Sequence, residues 1–283
     1  MRIDAHQHFW KYNETDYVWM GPQHAAIRRD FMPEDLAPLL DSIGFDGSVV
    51  VQARQMVTET EWLLSLAREH PRVRGVVGWV DLCSPAAGEQ IERFAPDARL
   101  VGVRHVVHDE PDDEFVMRKD FQAGLALLEP AGLAYDLLLF PRHLAPSTRL
   151  VDAFANQRFV IDHIAKPGIA SGTVEPWASD LSEIARRENV WCKLSGMVTE
   201  ADAATWKPGD FTPYLDVVLE AFGPERVMIG SDWPVCTLGG AYKLVMEIVI
   251  DYVSRLSPAE HDAVLGGNCA RFYGLEASFA SDA

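Results

Sequence analysis

The sequence predicts a (β/α)8 barrel, and three observations support this prediction. Eight short runs rich in Val, Ile and Leu alternate with amphipathic, helix-like stretches along the 283 residues, as in parallel strands joined by crossover helices. The runs start roughly 32 residues apart, which is the length of one βα unit. Eight such units suit one barrel of about 250 residues. An open doubly wound sheet is the alternative, but no Gly-x-Gly-x-x-Gly follows the first run to indicate dinucleotide binding.

The elements can be placed in order along the chain. The predicted strands cover 2–9, 47–53, 73–82, 100–107, 135–140, 159–164, 190–196 and 226–233. Pro33, followed by two acids, predicts one helix start, and Thr58-x-x-Glu61 has the spacing of a capping box at another. Long connections follow the first and seventh strands, on the face where barrels carry their active sites. We therefore expect one barrel domain, 1–283, with a C-terminal helical extension.

Charge and composition narrow the class of protein. The chain has 42 acidic and 25 basic side chains, a net charge of -17, and no run of Lys or Arg, so nucleic acid is not an expected partner. The chain has no apolar stretch of about 18 residues, so no membrane span is predicted. The four cysteines are scattered, without a Cys-x-x-Cys pair, which is typical of reduced, packed thiols in a cytoplasmic protein. A homo-oligomer is compatible with this composition.

Two histidines single out the first strand. Asp4, His6 and His8 alternate with their neighbours, and because successive side chains on a strand point to opposite faces, they are predicted to share one face. If Ile3 and Ala5 face the helices, that face is the lumen. Two histidines spaced in this way can share a metal ion or polarise a carbonyl, or they can be hydrogen-bonded core imidazoles. The spacing alone leaves both interpretations open.

The sixth and eighth strands add an acid and a third histidine. Asp232 ends an apolar run just before Trp233, the position where a barrel places catalytic groups. In the sixth strand, Asp162 and His163 are adjacent, so only one of them can reach the lumen of a regular strand. We expect His163 to face the lumen and Asp162 to point outward.

Further polar residues are candidates for binding a substrate. They are Gln52 and Arg54 on one face of the second strand, Arg104 or His105 on the fourth, and Lys193 on the seventh. A lysine within an apolar strand is costly to bury unpaired, so Lys193 is expected to contact either a substrate or an acid.

Aromatic residues of the two long connections are candidates for a pocket wall. These residues are Trp10, Tyr12, Tyr17, Trp19 and Trp206. Loops that follow strand ends often carry binding residues, and Trp19 is the predicted substrate contact. The alternative for each aromatic is that it only anchors its loop to the barrel rim.

Five motifs are spread over essentially the whole chain. They are IDAHQHFW from Ile3, LLLFPRHL from Leu137, VIDHIAKP from Val160, GSDWP from Gly230 and NCARFYGL from Asn268. In these motifs the chain resembles a known group, the amidohydrolase superfamily, and within it the branch of sugar lactonases that includes L-fucono- and L-rhamnono-lactonases.

The resemblance implies a barrel hydrolase in which His6, His8, His163 and Asp232 surround the reacting carbonyl. It also implies that some of these four residues could hold one Zn²⁺, although a metal-free site is equally compatible. Metal-rich members have a histidine where the fifth strand ends here in Phe140 and Pro141, and they have a carboxylated lysine on the fourth strand that is missing here. We therefore expect no two-metal centre, and we expect any single bound metal to be dispensable.

The implied activity is hydrolysis of a small-molecule sugar lactone, such as the 6-deoxy sugar L-fuconolactone. Asp232 would deprotonate the attacking water, while the histidines, or a metal they bind, stabilise the oxyanion. No Gly-x-Ser-x-Gly is present, so a serine nucleophile is not expected. Two alternatives stay open: a zinc-dependent decarboxylase of the same branch, and a non-catalytic sugar-acid-binding barrel, because fold does not fix function.

Overall fold

Eight parallel strands follow one another around a single sheet in chain order. The protein is represented by a computed structural model, which describes residues 1–275. The strands are β1 Ile3–Gln7, β2 Gly47–Val51, β3 Val73–Gly78, β4 Leu100–His105, β5 Ala134–Leu137, β6 Phe159–Ile161, β7 Val190–Leu194 and β8 Val227–Ile229. Each lies within or overlaps a predicted strand.

The first and last strands close the sheet into a barrel. Gln7 and Trp233 form a parallel bridge. The backbone N–H of Asp232 donates to the carbonyl oxygen of His6 at 2.8 Å, and the N–H of His8 donates to that of Trp233 at 2.7 Å. This confirms the (β/α)8 barrel and rules out the open sheet. It also brings the ends of β1 and β8 side by side.

Helices connect the strands and follow the last one. They are α1 Pro33–Ile43, α2 Val57–Glu69, α3 Ala87–Phe94, α4 Lys119–Leu125, α5 Leu144–Ala153, α6 Trp177–Ala185, α7 Thr212–Phe222, α8 Tyr242–Val253, α9 Pro258–Asp262 and α10 Asn268–Tyr273. Residues 276–283 of the predicted domain lie outside the described residues.

One helix start differs from the prediction. The first helix begins at Pro33, as expected. The second begins at Val57, so Thr58 lies inside its first turn and is not the cap. The buried carboxylate of Glu59, in the same turn, accepts hydrogen bonds from the backbone N–H groups of Ala53 and Arg54, which precede the helix, at 2.9 and 2.8 Å.

The end of the barrel where the strands begin is closed by α10. Ile3, Ala5 and Met228 belong to one apolar cluster with Cys269 and Phe272 of that helix. Burying such a cluster stabilises the fold through the hydrophobic effect and leaves the opposite end of the barrel for polar residues.

The four cysteines all lie within the described residues. They are free thiols, and three of them are buried. Among helices of the described residues, none has the length and apolar character needed to cross a bilayer.

Candidate active site

A cavity of about 580 Å³ opens at the end of the barrel where the strands finish. Catalytic groups of (β/α)8 enzymes lie on this face. Its walls include residues at or just after the ends of six of the strands, namely His8, Gln52, Arg104, Leu138, His163 and Asp232.

An irregularity in β1 decides which side chains reach this cavity. The pairing of β1 with β2 shifts register between Asp4 and Gln7, as in a β-bulge, which re-aims side chains near active sites. The carboxylate of Asp4 therefore points away from the lumen and accepts hydrogen bonds from the Ser231 hydroxyl at 2.6 Å and the Tyr242 hydroxyl at 3.2 Å. The prediction that Asp4 shares the lumenal face with His6 and His8 is wrong, because period two fails at the shift.

The end of β6 corrects a second prediction. The strand stops at Ile161, and the four residues from His163 to Lys166 all have positive φ, between 49° and 57°. This left-handed conformation costs roughly 1–2 kcal/mol per non-glycine residue. It brings the side chains of both Asp162 and His163 into the barrel, so the prediction that Asp162 points outward is wrong. Strain of this kind clusters at functional sites.

The three histidines and Asp232 converge. Nε2 of His8 lies 3.2 Å from Oδ1 of Asp232 and 3.2 Å from Nε2 of His6. Nε2 of His6 and Nε2 of His163 each lie 3.8 Å from the same carboxylate oxygen. Asp232 also has a positive φ of 58°. The four residues predicted to surround the reacting carbonyl therefore lie together.

The tautomer of His8 shows what this point of convergence can hold. Nδ1 of His8 lies 2.8 Å from the carbonyl oxygen of Val51, which only accepts, so Nδ1 must carry a proton. A neutral His8 then directs the lone pair of Nε2 at the Asp232 carboxylate. Two acceptors this close repel each other unless a positive charge lies between them. A second proton on His8 or a metal ion would supply that charge.

The donor set fits one zinc ion. Zinc binds imidazole nitrogen and carboxylate oxygen at about 2.0–2.2 Å, and tetrahedral ligands at that distance lie roughly 3.3 Å apart. His6, His8 and Asp232 match this spacing as a candidate metal-binding group, and His6, Asp162 and His163 form a second one. A hydrogen bond at the other ring nitrogen, as His8 makes, is the usual support for a histidine ligand.

Burial and neighbouring charges set the protonation of the site. Burial by itself raises the pKa of Asp232, but the neighbouring His163 and the hydrogen bond with His8 lower it below its usual value. Burial lowers the pKa of His6 and His163 well below the usual value. At neutral pH the site therefore contains an ionised carboxylate beside two neutral imidazoles, as a general base requires.

A buried ionic network lies beneath these residues. Nζ of Lys193 is 2.6 Å from a carboxylate oxygen of Asp136 and 3.0 Å from one of Asp162. Arg104 donates to Asp162 at 3.0 Å and to the side chain of Gln52 at 3.0 Å. Although burial alone would lower it, these two carboxylates raise the pKa of Lys193. Lys193 thus contacts acids and not the cavity.

The other predicted binding residues divide into two groups. Gln52, Arg104 and Trp19 line the cavity, and their role as substrate contacts stays a prediction. The residues lining the cavity do not include Arg54, His105 or Lys193. Arg54 pairs with Asp16 and Glu59.

His105 resolves the choice left open on β4. Its ring stacks on Phe115 with centroids 4.8 Å apart, and its Nε2 lies 2.7 Å from Glu110. The His105 side chain therefore lies on the helix side of the strand, and Arg104 is the residue that points into the barrel.

Among the aromatic residues of the long connections, Trp10 and Trp19 wall the cavity. Tyr17 packs in the core, and Trp206 lines a separate surface depression.

Sequence reasoning missed several polar residues of the cavity wall. They are His108, Asp109, Lys166 and Glu200. All four lie in loops after strands, where no alternation of apolar and polar residues marks the direction of a side chain. The only available signal was position, since each follows the end of a predicted strand within a few residues.

Comparison with known proteins identifies related chains. The amidohydrolase family profile matches residues 3–275. A curated L-fucono-1,5-lactonase of Burkholderia multivorans is 40% identical, with 97% of this chain and 96% of the relative covered. A second L-fucono-1,5-lactonase, from Burkholderia ambifaria, is 39% identical over the same shares of the two chains.

A solved structure agrees with these relatives. The crystal structure of a Burkholderia multivorans amidohydrolase with bound zinc has a TM-score of 0.93 and 40% identity to this chain, and the match covers 97% of this chain and 99% of that one.

Proposed function

The chain belongs to the amidohydrolase family, and from that premise we propose that it hydrolyses a sugar lactone, a 6-deoxy aldonolactone such as L-fucono-1,5-lactone, to the open-chain sugar acid. The observation that carries this proposal is the ionised Asp232 carboxylate held against three histidines at the end of a cavity. Relatives 39 and 40% identical over nearly their full length are L-fucono-1,5-lactonases, which supports the choice of reaction.

Asp232 is the proposed general base. Its carboxylate is ionised at neutral pH and borders the cavity, so it can take a proton from water as the water oxygen attacks the lactone carbonyl. Burial keeps bulk water from competing for the carboxylate. A general base positioned in this way typically contributes about 10²- to 10⁴-fold in rate.

Charge that develops on the carbonyl oxygen needs preorganised donors. Arg104 lines the cavity, and its Nη1 lies 3.3 Å from Nε2 of His6, so the guanidinium borders the reacting end. Nδ1 of His163 lies 2.8 Å from the Ser195 hydroxyl. If that hydroxyl donates, the imidazole proton sits on Nε2 and faces the cavity.

The tetrahedral intermediate then collapses by breaking the bond between the carbonyl carbon and the ring oxygen. Protonated Asp232 can return its proton to that oxygen, which becomes a hydroxyl of the product. The carboxylate is thereby restored as the base, and the cycle needs one water and no other reactant.

The same residues would hold one Zn²⁺ through His6, His8 and Asp232. When bound, such an ion supplies Lewis-acid polarisation of the carbonyl oxygen. We infer that hydrolysis does not depend on it. Arg104 already donates toward the nitrogen of His6 that a metal would need, so its guanidinium places positive charge beside that point.

The cavity suits a polyhydroxylated ring with one apolar edge. Its walls combine charged and amide groups, among them Gln52 and Arg104, with the indole rings of Trp10 and Trp19. Aromatic faces can cover a deoxy methyl or the apolar face of a sugar ring, while the polar groups bond hydroxyls.

The test is an assay of five- and six-carbon aldonolactones, their epimers, simple alkyl lactones and aryl esters. We expect 6-deoxy sugar lactones such as L-fucono-1,5-lactone to have the highest kcat/KM, with a clear difference between epimers, because a misplaced hydroxyl leaves buried donors unpaired. Equal rates across the epimers, or preference for alkyl lactones or aryl esters, would contradict the proposal.

A further inference from the structure

The cavity wall contains an ion pair that the proposed chemistry does not use. Nζ of Lys166 lies 2.9 Å from Oε1 of Glu200, and the two side chains are 14% and 21% exposed. Both residues line the cavity. An exposed ion pair typically contributes about 0–1 kcal/mol to stability, and a buried pair can cost more in desolvation than its attraction returns, so fold stability alone gives little reason to place a charged pair here.

Two strand-end loops hold the pair in place. Lys166 ends the left-handed segment that begins at His163, with its own φ at 49°. Glu200 follows the single helical turn Met197–Thr199 after β7, and its carbonyl oxygen accepts a hydrogen bond from the N–H of Ala170 at 2.8 Å. The strained turn that aims His163 at Asp232 therefore also aims Lys166 at the cavity.

The pair lies close to the reacting end of the cavity. Lys166 and Glu200 line the same cavity as Asp232 and His163, and the N–H of Lys166 donates to the carbonyl oxygen of His163 at 2.8 Å. A lactone whose carbonyl carbon lies next to Asp232 would therefore place its ring substituents within reach of Lys166 and Glu200.

The chemistry of the pair matches two neighbouring hydroxyl groups. An ammonium only donates hydrogen bonds and an ionised carboxylate only accepts them, whereas each hydroxyl can do both. Hydroxyls on adjacent ring carbons lie roughly as far apart as a hydrogen-bonded donor and acceptor. One hydroxyl can thus accept from Lys166 while the next donates to Glu200.

We propose that Lys166 and Glu200 form the subsite that recognises a vicinal diol on the lactone ring. This rests on the proposed function and assigns its selectivity to two residues outside the catalytic group. A ring without the diol leaves both charged groups without a substrate partner, and a ring with one of the hydroxyls inverted leaves one of them so. Hydrogen bonds to charged groups are stronger than those between neutral groups.

The test compares two six-membered lactones, L-fucono-1,5-lactone, which has the diol, and δ-valerolactone, which has no hydroxyl. The variants are Glu200→Gln and Lys166→Met. The matched control is Glu247→Gln, since Glu247 of α8 forms an exposed ion pair with Lys243 on the outside of the barrel. Melting temperature is measured for each protein.

We expect Glu200→Gln to lower kcat/KM for L-fucono-1,5-lactone by about 10- to 100-fold, the range for a lost hydrogen bond to a charged group, mainly through KM. The loss for δ-valerolactone should be far smaller, so the preference for the sugar lactone falls. Lys166→Met should lower that preference in the same direction, and the control should keep it.

Two outcomes would overturn the subsite. An unchanged preference in both variants would show that the pair only ties the two loops together, and equal losses on both lactones would show that it acts on the reacting centre. A wild-type protein that hydrolyses neither lactone would contradict the proposed function itself, together with the diol assigned to the pair.

Discussion

Asp232 lies just after β8 in a left-handed conformation that holds its carboxylate among three histidines. We predict that Asp232→Asn folds like the wild type but loses about 10²- to 10⁴-fold in kcat, because an amide of nearly the same size cannot accept the proton of water. The check is kcat on L-fucono-1,5-lactone, with folding followed by circular dichroism.

The control for this substitution is Asp251→Asn on the exposed side of α8. It removes the same charge far from the cavity and should leave kcat unchanged. A wild-type kcat in Asp232→Asn would remove this residue from the role of base.

Whether activity requires a metal ion also depends on individual side chains. Arg104 places positive charge 3.3 Å from Nε2 of His6, a nitrogen that a zinc ion would need, so we predict that protein stripped with a chelator keeps at least about half of its kcat. Metal content by mass spectrometry should rise to one zinc ion per chain on re-addition. It should not rise in His8→Ala, which lacks one of the three proposed ligands.

Loss of activity on chelation, with recovery on adding zinc, would contradict the inferred independence from metal. Failure of the stripped wild type to take up zinc would contradict the ligand set.

The residues of the reacting end could be predicted from sequence because motifs mark them. His6, His8, His163 and Asp232 stand at strand ends in recognisable surroundings, and the structure brings them together. Lys166 could not be predicted as a cavity residue. Its direction depends on a left-handed turn, and the residue types of that turn do not indicate positive φ.

At the scale of whole elements, the two wrong predictions of side-chain direction, for Asp4 and for Asp162, share one cause. Alternation predicts side-chain direction only while a strand stays regular. The register shift in β1 turns Asp4 toward α8, and the early end of β6 brings Asp162 inward. Both irregularities depend on how neighbouring strands close the barrel, which is a long-range effect that a local pattern does not contain.

Three strands meet at Lys193. Its ammonium group is buried between Asp136 of β5 and Asp162 just after β6. We predict that Lys193→Met lowers the free energy of unfolding by about 3–5 kcal/mol, because it leaves two buried carboxylates without their shared cation. Urea unfolding of the variant measures this change.

Lys243→Met is the matched control for this substitution, since Lys243 is 60% exposed on α8. It should change the free energy of unfolding by less than about 0.5 kcal/mol. A loss of similar size in both variants would show that the buried network does not tie the strands together.

At the scale of the whole molecule, the net charge of -17 repels the product but not the substrate. A sugar lactone is neutral, whereas the sugar acid formed from it carries a carboxylate that the negative field repels. The cations of the cavity do not reverse this field, because Arg104 is paired with Asp162 and Lys166 with Glu200, while Asp232 adds a further negative charge.

The salt concentration should therefore change the binding of the product and leave the reaction of the substrate almost unchanged. Between about 10 and 300 mM NaCl the screening length falls from roughly 30 Å to under 10 Å, so repulsion of the sugar acid weakens. We predict that its inhibition constant falls severalfold over this range, while kcat/KM for the lactone changes by less than about twofold. Initial rates with added product at each salt concentration measure both quantities. An inhibition constant that rises with salt would show that Arg104 and Lys166 attract the product more strongly than the rest of the molecule repels it.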